Sequence, residues 1–152
     1  AEQWEQDFIQ YLSDMLEREQ AADDVTSGPF APPLTIEQPA LNDGEHYAGV
    51  LLGKDGAPNH HLILLPGDHD DLPWQAAMDW AKSIGGELPT RREQALLYAN
   101  LPEQFKSEWY WSCEQHAANS DYAWMQTFGD GDQYKLHKSD INRARAVRRI
   151  KI

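Results

Sequence analysis

Cys113 is the single cysteine of this 152-residue chain, and His116 follows it at three positions. A thiol beside an imidazole is the pairing that nucleophilic catalysis would need. Flanked by Trp109, Tyr110 and Trp111, however, Cys113 reads as a small buried hydrophobe rather than an activated thiolate. Oxygen ligands gather in Asp68-His69-Asp70-Asp71 and in Asp130-Gly131-Asp132. Neither has the spacing of a calcium-binding loop, and both read as solvated loops. His60 and His61 are adjacent, so on a strand they point to opposite faces and cannot share a zinc ion. The residues that could do chemistry therefore predict no catalytic residue, no metal and no cofactor, and the chain is expected not to be an enzyme.

Arg143, Arg145, Arg148, Arg149 and Lys151 form a basic end that could meet a nucleic acid. The balance of charge argues otherwise. The formal net charge is −12, and residues 1–45 hold eleven acids against Arg18 alone. Broad phosphate-backbone binding needs a positive field, so nucleic acid is not an expected partner. The arginines alternate with Ala and Val as on a half-exposed strand, and salt bridges to the acidic N-terminal third would neutralise them. One cysteine allows no intrachain disulfide, which suits a reducing compartment. No apolar run reaches the length of a membrane span, and no signal peptide pattern opens the sequence. A soluble protein of cytoplasmic origin is expected.

The elements that must position these groups follow from periodicity. Trp4, Phe8, Tyr11, Leu12 and Met15 recur at the spacing of one helical face, widened by Ile9 and Leu16, with acids elsewhere. That predicts an amphipathic acidic helix over 1–20, able to pack on its own domain, to self-associate or to dock on a partner. Residues 21–45 carry prolines and glycines without periodicity and read as a Pro-rich linker. Tyr47–Leu52 and His61–Leu65 predict a hairpin turning at Asp55-Gly56. Asp68–Asp71 reads as a polar loop. A helix starts around Pro73 and stops at Gly85-Gly86, and Thr90 with Glu93 forms a capping box for a second helix to about Asn100. Trp109–Glu114, Ala123–Phe128, Gln133–His137 and Arg143–Ile150 are short strand candidates. Strands segregated from helices predict an α+β domain over 46–152. On strands of period two, Trp111 and Trp124 are assigned to the core, and Tyr110 and Tyr122 to contact.

In that order the landmarks resemble a known family. They are Trp74 and Ala77, then Gly85-Gly86-Glu87-Leu88-Pro89-Thr90-Arg91-Arg92-Glu93, then Tyr110-Trp111-Ser112, Ala123-Trp124 with Phe128-Gly129, and Arg145-Ala146-Val147-Arg148-Arg149-Ile150. Residues 46–152 resemble the Lcl C-terminal-like family of phage, prophage and bacterial proteins, which is similar in fold to C-type lectins. The resemblance implies a C-type-lectin-like fold: two helices flanking small antiparallel sheets, with N- and C-terminal strands paired. The same fold is used by phage receptor-binding proteins and by the variable proteins of diversity-generating retroelements, which display a changeable binding face near the chain's end. By that resemblance the ligand-binding candidates are Asn119, Asp121, Tyr122, Asp130, Asp132, Tyr134, Lys135, His137 and Asn142, with Tyr110 added from the strand alternation. The carboxylate–Pro–carboxamide and Trp-Asn-Asp signatures of calcium-dependent lectins are missing. The paired cysteines of the formylglycine-generating enzymes are missing as well.

Two functions of different class result. The first is a ligand- or receptor-binding display protein, phage- or prophage-encoded and cytoplasmic in the host or virion-associated. It would recognise a protein or cell-surface partner through its late loops, with the N-terminal helix self-associating or docking on a larger phage assembly. The second is a small acidic phage regulator that inhibits a host enzyme or nucleic-acid-binding complex through that helix.

Overall fold

The computed structural model describes residues 5–15 and 37–152. The chain divides into two compact units between Glu37 and Gln38. In the first, residues 5–15 form helix α1. Its Phe8, Ile9, Tyr11, Leu12 and Met15 are between 42% and 63% exposed. Trp4, Leu16 and the linker stretch up to residue 36 lie outside the described residues.

The second unit is α+β. Strands β1 (His46–Leu51), β2 (His60–Leu64) and β3 (His69–Leu72) lead to helices α2 (Trp74–Ser83) and α3 (Arg91–Asn100). Strands β4 (Trp109–Gln115), β5 (Tyr122–Thr127), β6 (Gln133–His137), β7 (Asn142–Ala144) and β8 (Val147–Lys151) complete it. One sheet has the order β1-β2-β8 and the other β3-β7-β4-β5-β6. The first is antiparallel, whereas the second is mixed, because β4 runs parallel to β7 at Tyr110 and Arg143. The first and last strands of the unit share a sheet but do not pair, since β2 lies between them. Residues 38–45 belong to this unit, and Glu45 binds Arg148 on β8.

The helices start where local chemistry directs. Thr90 Oγ1 accepts the Glu93 N–H at 3.2 Å and the Glu93 carboxylate accepts the Thr90 N–H at 2.8 Å, closing the expected capping box. Helix α2 follows Pro73 and presents Ala77 and Ala81 inward, both fully buried.

Two strand expectations are corrected. His69–Leu72 is not a loop: it pairs with β7, because Asp68 is held by Tyr110 Oη at 2.5 Å and by Arg143 Nε at 2.9 Å. The run Arg143–Ile150 is not one strand but two, in different sheets. The break falls at Arg145-Ala146. The buried Arg145 guanidinium donates to the carbonyls of Leu65 and Gln104, and Ala146 O accepts the Leu65 N–H at 2.9 Å.

Strand β4 is central, and both of its faces are covered. Trp111 joins Leu65, Ala77, Ala81, Leu88, Ala123, Met125, Ala144 and Ala146 in one cluster. Tyr110 joins Ala48, Leu62, Leu64, Leu97, Phe128 and Val147 in another. A strand buried on both faces cannot spare its odd residues for contact, so the expectation for Tyr110 is overturned. Tyr110 is 1% exposed, and burial foremost, with the Asp68 hydrogen bond, pushes its hydroxyl up to about 12.

Candidate functional site

The structure separates the predicted binding residues. Asn119, Asp121, Tyr122 and His137 sit at one end of the β5–β6 ladder, where Tyr122 pairs with His137 and their rings lie 5.4 Å apart. Asp130, Asp132 and Tyr134 sit at the other, next to the Gln126–Gln133 pair. Four residue steps of antiparallel strand put roughly 14 Å between the two ends. All of these except Tyr122 are exposed, as is Lys135, which stands opposite Trp124. Asn142 is half-buried and turns inward, its amide donating to Met125 Sδ at 3.2 Å.

Three polar candidates, Asn119, Asp130 and Asp132, have structural work. Asn119 Oδ1 accepts the Asp121 N–H and Asp130 Oδ1 accepts the Asp132 N–H, closing side-chain turns at both ends of the hairpin. Tyr134 donates to Asp132 at 3.2 Å, which raises the tyrosine's pKa above its ordinary value. Sequence reasoning missed Trp109, whose ring lies 5.4 Å from that of Tyr134. Trp109 and Tyr134 are 39% and 49% exposed and make a solvent-facing aromatic pair. The signal was available, because Trp109 shares a face with Trp111 but stands at the very start of β4.

Other constellations do not assemble. Cys113 makes no hydrogen bond to His116, whose Nδ1 accepts the Ala118 N–H instead. Burial pushes the Cys113 thiol up to about 11, which keeps it protonated near neutral pH. Among the described residues, no group of three or more His, Cys, Asp or Glu side chains is arranged to hold a metal ion. His60 and His61 point to opposite sides, the first to Glu93 and the second to Tyr47 Oη at 2.7 Å.

Three arginines of the basic end are spent on ion pairs, though not mainly with the N-terminal third. Arg143 binds Asp68 and Glu108, Arg148 binds Glu45, and Arg149 binds Glu87 and Glu93. Glu93 is the centre of this system and is wholly buried. Arg149 grips both its oxygens at 2.6 and 2.7 Å, His60 Nε2 lies at 2.9 Å, and the Thr90 N–H completes the set. Burial alone would raise the pKa of Glu93. The bonds from Arg149, Thr90 and His60 outweigh it, and the carboxyl is held below its ordinary value.

Above this anchor opens a cleft of about 890 Å³ that the sequence did not announce. One wall is the β1–β2 loop from Leu51 to Pro58, the floor is the start of α3, and the far wall is Gly131-Asp132-Gln133. A chain of amides stiffens the floor. Gln94 Nε2 donates to Tyr110 O, Gln126 Nε2 to Gln94 O, and Gln133 Nε2 to both Gln126 Oε1 and Arg91 O. Arg91 lies flat on the Trp124 ring at 3.6 Å, and its Nε donates to Gln133 Oε1. Gly131, at φ +84°, lets the far wall sit against α3, where a Cβ would stand 2.6 Å from the Tyr98 ring. Of the predicted binding residues only Asp132 lines the cleft.

No family model matches the chain, and no curated protein matches it. Among the described residues, no helix is long and apolar enough to cross a membrane.

Proposed function

We propose that residues 38–152 form a C-type-lectin-like binding domain that recognises a protein or cell-surface partner through the Asp130–Tyr134 end of the β5–β6 hairpin. The observation that carries this reading is the exposed Trp109–Tyr134 pair beside Asp132. Large rings with a polar rim are the usual anchors of recognition surfaces. The α+β arrangement supports the fold assignment, although β2 stands between the first and last strands. The high pKa of the Cys113 thiol supports a role without chemistry.

The exposed apolar side of α1 favours a second reading, in which the acidic helix itself docks on a target and the domain is its carrier. One experiment separates them. The full chain is screened against a random-peptide library and a glycan array, and the selected binders are re-measured on Tyr134→Ala, Trp109→Ala and a chain starting at Gln38. The display reading expects both aromatic variants to lose binding by about tenfold or more and the shortened chain to keep it. Loss on shortening alone, with Tyr134→Ala unaffected, establishes the helix instead.

A further inference from the structure

The cleft over α3 differs in charge from the chain that carries it. Four cations line it, Lys54, Arg91, Arg92 and Arg149, against three carboxylates, Glu93, Glu114 and Asp132. The carboxylates are engaged. Glu93 is enclosed by Arg149, His60 and Thr90, Glu114 accepts the Arg91 N–H at 2.6 Å, and Asp132 accepts the Tyr134 hydroxyl. The cations are less so. Arg149 is consumed by Glu93 and Glu87, but among the described residues Arg92 reaches only the Leu52 carbonyl, through one terminal nitrogen. Arg91 uses Nε alone, leaving both terminal nitrogens without a partner, and the Lys54 ammonium has none among the described residues. Glu114 and Asp132 keep their charges, but Lys54, Arg91 and Arg92 line the cleft without an ion-pair partner among the described residues, inside a chain whose net charge is −12.

We propose that the cleft binds a small molecule bearing a phosphate monoester, on residues other than those of the display surface. The phosphate is held by Lys54, Arg91 and Arg92. Two guanidiniums and an ammonium suit a dianion with several acceptor oxygens, and Arg91 is pre-oriented by its stack on Trp124. The backbone amides at the start of α3 contribute little, because Glu114 takes that of Arg91 and Thr90 that of Glu93. Leu52, 65% exposed, and the neighbouring Ala57 and Pro58 give the body of the molecule an apolar wall. The cleft is open to solvent, and its volume of about 890 Å³ leaves room for a small ligand along that wall.

The test is amide-resolved NMR titration of the full chain with inorganic phosphate, ribose 5-phosphate, adenosine monophosphate and adenosine. The phosphates are expected to shift the amides of Lys54, Arg91, Arg92 and Gly131, and added salt to weaken the effect. Ribose 5-phosphate against adenosine monophosphate shows whether a sugar or a ring system suits the apolar wall. Lys54→Glu is expected to weaken binding by about tenfold and Arg92→Gln by a few-fold, each with an otherwise unchanged spectrum. Three results overturn the proposal: no shifts from any phosphate at millimolar concentration, adenosine binding as tightly as its monophosphate, or Lys54→Glu binding as the parent does.

Discussion

On the α2 side of β4, Trp111 packs among Ala77, Ala81, Ala123, Ala144 and Ala146. On the α3 side, the buried space beside Tyr110 holds Glu93, Gln94 and Gln126, each with 0% exposure. Both faces carry an apolar cluster, but only the α3 side adds a buried polar set to it. The first fills space with alanines and longer aliphatic side chains around Trp111, with Trp74 and Trp80 packed against them. The second adds directional bonds beside its apolar cluster, and the cleft stands on that polar part. Apolar packing accepts other side chains of similar volume, whereas a chain of amides and a fourfold-bonded carboxylate fix where each side chain points. A site that must hold Arg91 and Gln133 in place belongs on the polar side.

The comparison breaks most visibly at Glu93. Glu93→Gln leaves Arg149 facing a neutral amide and weakens the cap of α3. With the Arg149–Glu87 pair still in place, the loss of the charged hydrogen bonds is expected to lower stability by about 1.5–3 kcal/mol, read from urea unfolding. The start of α3 and the cleft floor should lose hydrogen-exchange protection first. A loss below about 1 kcal/mol would mean that the polar layer is ornamental. On the alanine side the informative change is an addition. Ala81→Leu forces extra carbons against a packed layer and should cost about 1–3 kcal/mol while leaving the amides of Arg91 and Gln133 unshifted.

What the sequence disclosed divides along the same line. Helix α3 was legible because Thr90 and Glu93 are local partners three residues apart, and β6 because Gln133–His137 is bounded by turn residues. Tyr110 misled because alternation assumes one solvent-facing side, and β4 has none along Tyr110–Ser112. The split of Arg143–Ile150 was invisible, since Arg145 is satisfied by carbonyls 41 and 80 residues away. The cleft was illegible for the same reason. Its walls come from the β1–β2 loop, α3 and the β5–β6 turn, and no periodicity records that long-range pairs such as Arg149–Glu93 bring them together.

A second ion pair sharpens the contrast, because it lies outside the polar layer. Arg148 grips Glu45 through two nitrogens, both at 2.9 Å, and the Glu45 side chain is 4% exposed. The Arg148 hydrogen bonds, opposed by desolvation and helped by the Asn42 N–H, lower the Glu45 carboxyl from 4.5 to about 2. The folded state thus keeps Glu45 ionised where the unfolded chain would protonate it. That stabilisation is complete above pH 4.5 and is lost as the pH falls toward 2. Glu45→Gln should cost about 1–2 kcal/mol at neutral pH, and the difference from the parent should vanish near the lower limit. Thermal unfolding followed between those limits checks it. A gap that stays constant with pH would show that Glu45 matters for packing and not for charge.

Lys54 gives the smallest stability effect and for that reason the cleanest contrast with Glu93. Both line the same cleft, yet Glu93 is wholly buried with four donors around it and Lys54 is exposed, its ammonium without a partner among the described residues. Lys54→Ala should change stability by no more than about 0.5 kcal/mol, as expected for a surface side chain without partners. If the polar layer's purpose is to position, charge at the rim should be separable from structure beneath it. Glu93→Gln would then disturb fold and cleft together, whereas Lys54→Ala would alter only what the cleft attracts. A Lys54→Ala protein that unfolds several degrees earlier than the parent would contradict this separation. It would place the β1–β2 loop within the cooperative core rather than at the rim.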